Sequence, residues 1–198
     1  MLGVQPLGYP NRVLPEEIKF GSLKRNLYLC LMKTNLPYCS NNVGIIGYQD
    51  SEIAKKEKND CVVRAFASAF EIPYDKAHKY VKENFGRKDY CGTYGTVFKM
   101  VELAKKQTQL NHKKIKPIGR PKTMSYHKVY SLNYTVKVKG KKVNRQMTVG
   151  TFIKENPIGT FFVLVDGHAF TIKDGIVHGN YEDSTKKRKI MKHAFQIK

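Results

Sequence analysis

The chain has 198 residues, with 36 Lys and Arg against 16 Asp and Glu, a net charge of +20 at pH 7. A hydrophobic content of 41% supports a sizeable core, most simply one domain with an extension, and the charge favours polyanionic partners over cationic ones. No apolar run approaches the ~18 residues of a membrane span, and the N-terminus does not read as a signal peptide, so neither a membrane partner nor secretion is expected.

Residues 1–52 carry Pro6, Pro10, Pro15 and Pro37 among glycines and asparagines, and read as an N-terminal extension or arm ahead of a domain over 53–198. Within the arm, Leu23 to Met32 predicts one short helix or strand, and Cys39 to Gly44 a loop of small polar residues. The four cysteines, Cys30, Cys39, Cys61 and Cys91, have no CxxC spacing, and the six histidines are scattered. They offer no zinc pattern and read as reduced thiols, so neither metal nor cofactor is expected.

The stretch Asn59-Asp60-Cys61-Val62-Val63-Arg64-Ala65-Phe66 predicts a helix beginning at a cysteine. Asn59 or Asp60 is the expected N-cap, and Val62, Ala65, Phe66, Ala69 and Phe70 recur at helical spacing. Cys61 falls in the first turn, where free N–H groups and the helix dipole favour a thiolate. A small buried residue at the start of a core helix reads equally well from this stretch alone. A second helix runs from Tyr74 or Asp75 to about Asn84 and stops at Gly86, and a third runs from Thr96 to about Gln107.

Residues 111–123 are basic and contain Pro117 and Pro121. They read as a solvated loop between lobes, or as a phosphate grip built from Lys113, Lys114, Lys116, Arg120 and Lys122, with Tyr126 and Tyr130 for stacking. A hairpin with one lysine-rich face follows over 135–143. Thr148 is positioned to cap a short helix, Val149 to Glu155, that Asn156-Pro157 ends. Strands are expected at 159–165, 168–172 and 176–178, joined at Asp166-Gly167 and Asp174-Gly175. Lys186, Lys187, Arg188 and Lys189 form a charge run, and Ile190 to Ile197 an edge strand. From residue 99 onward there are 22 Lys and Arg against 6 Asp and Glu, so the polyanion-binding candidates lie in this half. The fold expected is α+β: a helical lobe over 59–107 packed on an antiparallel sheet over 113–197.

An early helical cysteine, a histidine opening a late strand, and an Asn or Asp after it follow the order of a cysteine-peptidase triad. The segments Asn59 to Ala65, Met147 to Phe152, Gly167-His168-Ala169-Phe170, Asp174-Gly175 and Gly179-Asn180 resemble a papain-like cysteine peptidase fold, and more narrowly small papain-like proteins of bacteriophages and bacteria. The resemblance covers roughly residues 57–195. It implies Cys61 as nucleophile, His168 as base and Asn180 as orienter, with Asp183 the alternative orienter. Papain-like enzymes often carry a Gln several residues before the cysteine as oxyanion donor. Residues 53–58 contain none, which leaves Asn59 as the oxyanion candidate and Gln49 as a more remote amide.

The function expected is a cysteine hydrolase acting on a peptide or protein, phage-encoded and working in the host cytoplasm or the virion. Two other readings stand beside it. One is a basic virion-associated or nucleic-acid-binding protein on an inactive papain-like scaffold, and the other an acyltransferase passing the acyl group to an amine. His178 and Asp183 compete for secondary roles near the base, while His78, His112, His127 and His193 read as surface residues.

Overall fold

Helix α3, Cys61–Phe70, is almost wholly inside the protein: every residue from Val62 to Phe70 except Arg64 is buried. The computed structural model describes residues 36–198 apart from 125, 126, 139 and 186. The segment Leu23 to Met32, Cys30, Tyr126 and Lys186 therefore lie outside the described residues, as do the side chains of Lys122 and His127.

The elements, in chain order, are β1 (Tyr38–Ser40), α1 (Asn41–Gly44), α2 (Glu52–Lys56), α3, α4 (Tyr74–Phe85) and α5 (Thr96–Lys105). After them come β2 (Ile115–Ile118), β3 (Arg120–Met124), β4 (His127–Ser131), β5 (Asn133–Val138), β6 (Lys141–Gln146) and α6 (Val149–Glu155). The chain ends with β7 (Thr160–Val165), β8 (His168–Lys173), β9 (Ile176–Gly179), α7 (Tyr181–Ser184) and β10 (Met191–Ile197). The class is α+β, with early helices against a late sheet.

That sheet has six strands in the order β1-β9-β8-β7-β10-β2. Both faces are covered, so β7 reads as a continuous apolar run although its side chains still alternate. Phe162 and Leu164 pack with α3, α4 and α5, whereas Phe161, Val163 and Val165 pack with Val149 and Phe152 of α6. Phe66 lies at the centre of the helical side, 5.2 Å from the Tyr80 ring and 6.5 Å from Phe162. The hydroxyl of Thr171 donates to the Ala65 carbonyl at 2.7 Å, so a buried polar pair also fixes α3 on β8.

Several sequence expectations need correction. The sheet is mixed, because β1 pairs with β9 in parallel. The arm boundary at residue 52 falls inside the body: β1 belongs to the sheet, Ile45 is a buried core residue, and Tyr74 donates its N–H to the Ile46 carbonyl. Residues 111–123 are not a loop throughout, since they hold β2 and most of β3. Pro117 is tolerated because β2 is an edge strand, where only some N–H groups meet a partner. Conversely β10, expected at an edge, lies between β7 and β2. The hairpin β5–β6 and the pair β3–β4 form separate two-stranded sheets outside the main one. Elsewhere, Gly86 ends α4 with φ 69° and Thr148 caps α6 by accepting from the Thr151 N–H, as the residue types suggest.

Candidate active site

The site begins with a turn that the cap rule misreads. Asp60 occupies the N-cap position of α3, but its side chain makes no capping bond. It is buried, accepts from the Tyr74 hydroxyl at 2.7 Å, and lies 2.9 Å from Arg64 Nε. Asn59, just before it, has φ 57°. The first N–H groups of α3, that of Cys61 included, therefore have no intrahelical acceptor and no side-chain cap.

Cys61 is half-buried and faces His168, which opens β8. Burial pushes the thiol up. A hydrogen-bonding interaction with the His168 ring, its charge, a backbone bond with Ala169 and the charge of Arg64 outweigh this and hold Cys61 below the ordinary thiol value. Burial pushes His168 down, and the Asp183 carboxylate and Cys61 outweigh that, so the imidazole stays charged above its ordinary value.

Nε2 of His168 lies 2.9 Å from Asp183 Oδ1. At that distance the carboxylate both hydrogen-bonds the ring and supplies its counter-charge. With Nε2 on the carboxylate, Nδ1 is the nitrogen left for the thiol. Asp183 is 1% exposed, which makes it a buried charge matched by the imidazolium. Its other oxygen accepts the Asn180 N–H at 2.8 Å, in a capping box that opens α7. The carboxylate beside the base is thus Asp183, and Asn180 is engaged elsewhere. Asn180 Oδ1 accepts from Arg64 Nη1 at 2.6 Å and from Asn41 Nδ2 at 2.7 Å.

These residues meet at one end of the sheet, in a cleft of about 860 Å³. Cys61, Arg64 and Asn59 come from the start of α3, and residues 92–98 ahead of and within α5 form a second wall. His168, Asn180, Lys192 and His193 line the sheet side. No known family, curated protein or solved structure matches this chain. What the site does must therefore be argued from its own chemistry.

The other candidates fall in varied places. Asn59 is exposed and lines the cleft together with Cys61. His178 pairs in register with Cys39 across β9 and β1, away from the cleft; burial, followed by the charge of Lys173, pushes it down to about 4. Lys113 is tied to Glu71 at 2.6 Å, whereas Lys114, Lys116 and Arg120 are exposed. Lys187 and Lys189 give their carbonyls to the Gly150 and Val149 N–H groups at the start of α6, and Arg188 is exposed.

His78 is not on the surface. It is 6% exposed, 2.7 Å from Glu57 Oε1 and 3.0 Å from Arg87 Nη1, and the Arg87 side chain is itself fully buried. Arg87 Nη2 reaches the other Glu57 oxygen at 2.6 Å. Hydrogen bonding from Arg87 first, and from His78, overcomes burial and holds Glu57 down to about 2. Glu57, His78 and Asp89 have the ligand types of a metal site, but Arg87 already supplies the cation beside two of them and Lys82 pairs with the third at 2.6 Å. The sequence signal was present in one place only: His78 lies on the apolar stripe of α4, one position after Ala77 and three before Val81.

Proposed function

We propose that the protein is a papain-like cysteine hydrolase, most simply a peptidase, in which Cys61 attacks, His168 moves the proton and Asp183 orients the imidazole. The observation that carries this reading is the line from a helix-start thiol, through one imidazole, to a buried carboxylate behind it, with the thiol and the imidazole both lining one open cleft. A thiol held low and an imidazole held high favour the thiolate–imidazolium pair, the reactive form for acyl transfer. The thiolate would add to the substrate carbonyl, forming a C–S bond while the carbonyl π electrons move to oxygen. The Cys61 N–H, with Asn59 Nδ2, would receive that oxyanion. His168 would give its proton to the leaving amine as the C–N bond breaks. It would then take one from water as the thioester hydrolyses.

Alkylation with iodoacetamide tests the reading on the full chain. Cys61 should react near pH 6 far faster than Cys39 or Cys91, and His168→Ala should abolish that advantage. Equal labelling of all four thiols, Cys30 included, would leave the fold without this chemistry.

A second property has its own support. Hairpin β5–β6 stands outside the main sheet, every residue of β6 is exposed, and residues 133–146 contain five Lys or Arg and no acid. Such a ribbon favours a polyanion, nucleic acid among them. Retention on a DNA column should fall steeply with added salt if the cause is electrostatic. A phage-encoded enzyme acting in the host cytoplasm or carried in the virion suits both properties.

A further inference from the structure

The cleft is lopsided in charge. Among its described lining residues, Arg64, Lys192 and the charged His168 ring are cations and none is Asp or Glu. Arg64 is already matched by Asp60 and bonded to Asn180, so it is fixed in the wall. Lys192 differs. It is exposed, and no carboxylate of the described residues pairs with it.

The backbone accounts for its aim. Strand β10 runs beside β7 with Met191 opposite Val165 and His193 opposite Leu164, so Lys192 is the extra residue of a bulge. A bulge breaks the alternation of a strand and re-aims one side chain, here onto the cleft wall. The following residue holds the turn in place, because His193 Nδ1 is 2.9 Å from the Tyr130 carbonyl. Burial keeps that ring below its ordinary value, so His193 adds no competing charge.

The register also gives a distance scale. Val165 is the partner of Met191 on one side and of His168 on the other. Two strand spacings of about 4.8 Å separate those backbones, roughly 10 Å in all. An extended substrate advances about 3.3 Å per residue, so a position two or three residues from the reacting carbonyl passes Lys192.

We propose that Lys192 reads an acidic side chain on the substrate, two or three residues from the bond that is cut. This rests on the hydrolase reading above and adds a substrate class to it: acidic peptide segments, which a chain of charge +20 would also attract at long range.

The test uses the full chain and tripeptidyl fluoromethyl ketones, which alkylate catalytic thiols, with Glu or Gln placed at each position in turn. Second-order inactivation rates are compared within each protein, so the ratio cancels any change in intrinsic reactivity. In the native chain one Glu probe should outrun its Gln twin by up to about fivefold, the upper size of one exposed ion pair. Lys192→Met should bring that ratio to about one, and Lys192→Glu should invert it in favour of the Gln probe. Iodoacetamide on the native chain separates the two failures. If Cys61 reacts selectively with it but no probe shows an acidic preference, or the preference survives in Lys192→Met, the inference is overturned and the hydrolase reading stands. If Cys61 reacts no faster than Cys91, both fall together.

Discussion

The charge on Cys61 depends on His168 more than on any other neighbour, because burial alone would keep the thiol protonated. This fixes the pH behaviour. The lowered thiol and the raised imidazole favour the ion pair, so alkylation should fall on the acid side as the thiolate is protonated and plateau above it, whereas turnover should also fall on the alkaline side as His168 loses its proton. His168→Ala leaves burial largely unopposed, and the alkylation curve should move to the alkaline side of an ordinary thiol. Asp183 and Asn180 are then distinguished by their partners. Asp183→Ala strips the imidazolium of its buried counter-charge and should cost about 100-fold in the plateau rate, within the range of a lost acid–base partner. Asn180→Ala removes an acceptor from Arg64 and Asn41 but keeps the N–H that Asp183 accepts, and should cost about tenfold or less. A larger loss for Asn180→Ala in stopped-flow alkylation would return the orienting role to the amide.

At the scale of elements, one buried cluster connects the segment before α3 to the chain that leaves α4. Glu57 precedes α3, His78 lies on α4, and Arg87 follows the Gly86 cap on the way to the cleft wall at residues 92–95. Arg87→Met should destabilise the protein by about 3–5 kcal/mol in urea melts, since it leaves a buried carboxylate with no counter-cation but His78 and one further hydrogen bond, from the Tyr90 N–H. The pH sign follows from Glu57. Its folded value lies below its unfolded one, so its contribution is complete above about 4.5 and is lost as pH falls towards about 2. The native chain should therefore lose more stability than Arg87→Met across that acid window. This cluster was not legible in the sequence as a whole, because Glu57 and Arg87 are thirty residues apart and each alone looks like a surface charge, His78 alone being marked by its place on the apolar stripe of α4. Helices α3, α4 and α6 were legible, since periodicity, Gly86 and Thr148 are local signals. Cys61 and His168 were legible by residue type and chain order. The orienter was not decided by type, because Asn180 and Asp183 share one short turn and only the tertiary contacts with Arg64, Asn41 and His168 distinguish them. The α3 cap was misread for the same reason: Asp60 is a good N-cap in isolation, but Tyr74 and Arg64 claim its oxygens.

At the scale of the whole molecule, the segment before Ser51 bears on the site through the sheet. Strand β1 lies parallel to β9, and Asn41, the first residue of α1, donates to Asn180. Ile45 joins the helical core, and the Ile46 carbonyl receives the Tyr74 N–H at the start of α4. Proline content and weak periodicity made residues 1–52 read as an arm, because a short strand that completes a sheet from outside has no periodicity of its own to announce it. A chain beginning at Ser51 should therefore lose more than an arm. It uncovers the edge of β9, vacates the place of Ile45 and leaves Asn180 with Arg64 alone. Ile45→Ala in the full chain should cost about 2–5 kcal/mol, and Asn41→Ala, which leaves the core intact, should slow Cys61 alkylation with little change in melting temperature. A chain beginning at Ser51 that melts like the full one and alkylates at the same rate would show that β1 and α1 only rest on the body. Slow alkylation of Asn41→Ala at unchanged stability would instead establish that a residue 20 positions upstream of Cys61 helps to set the geometry of the cleft.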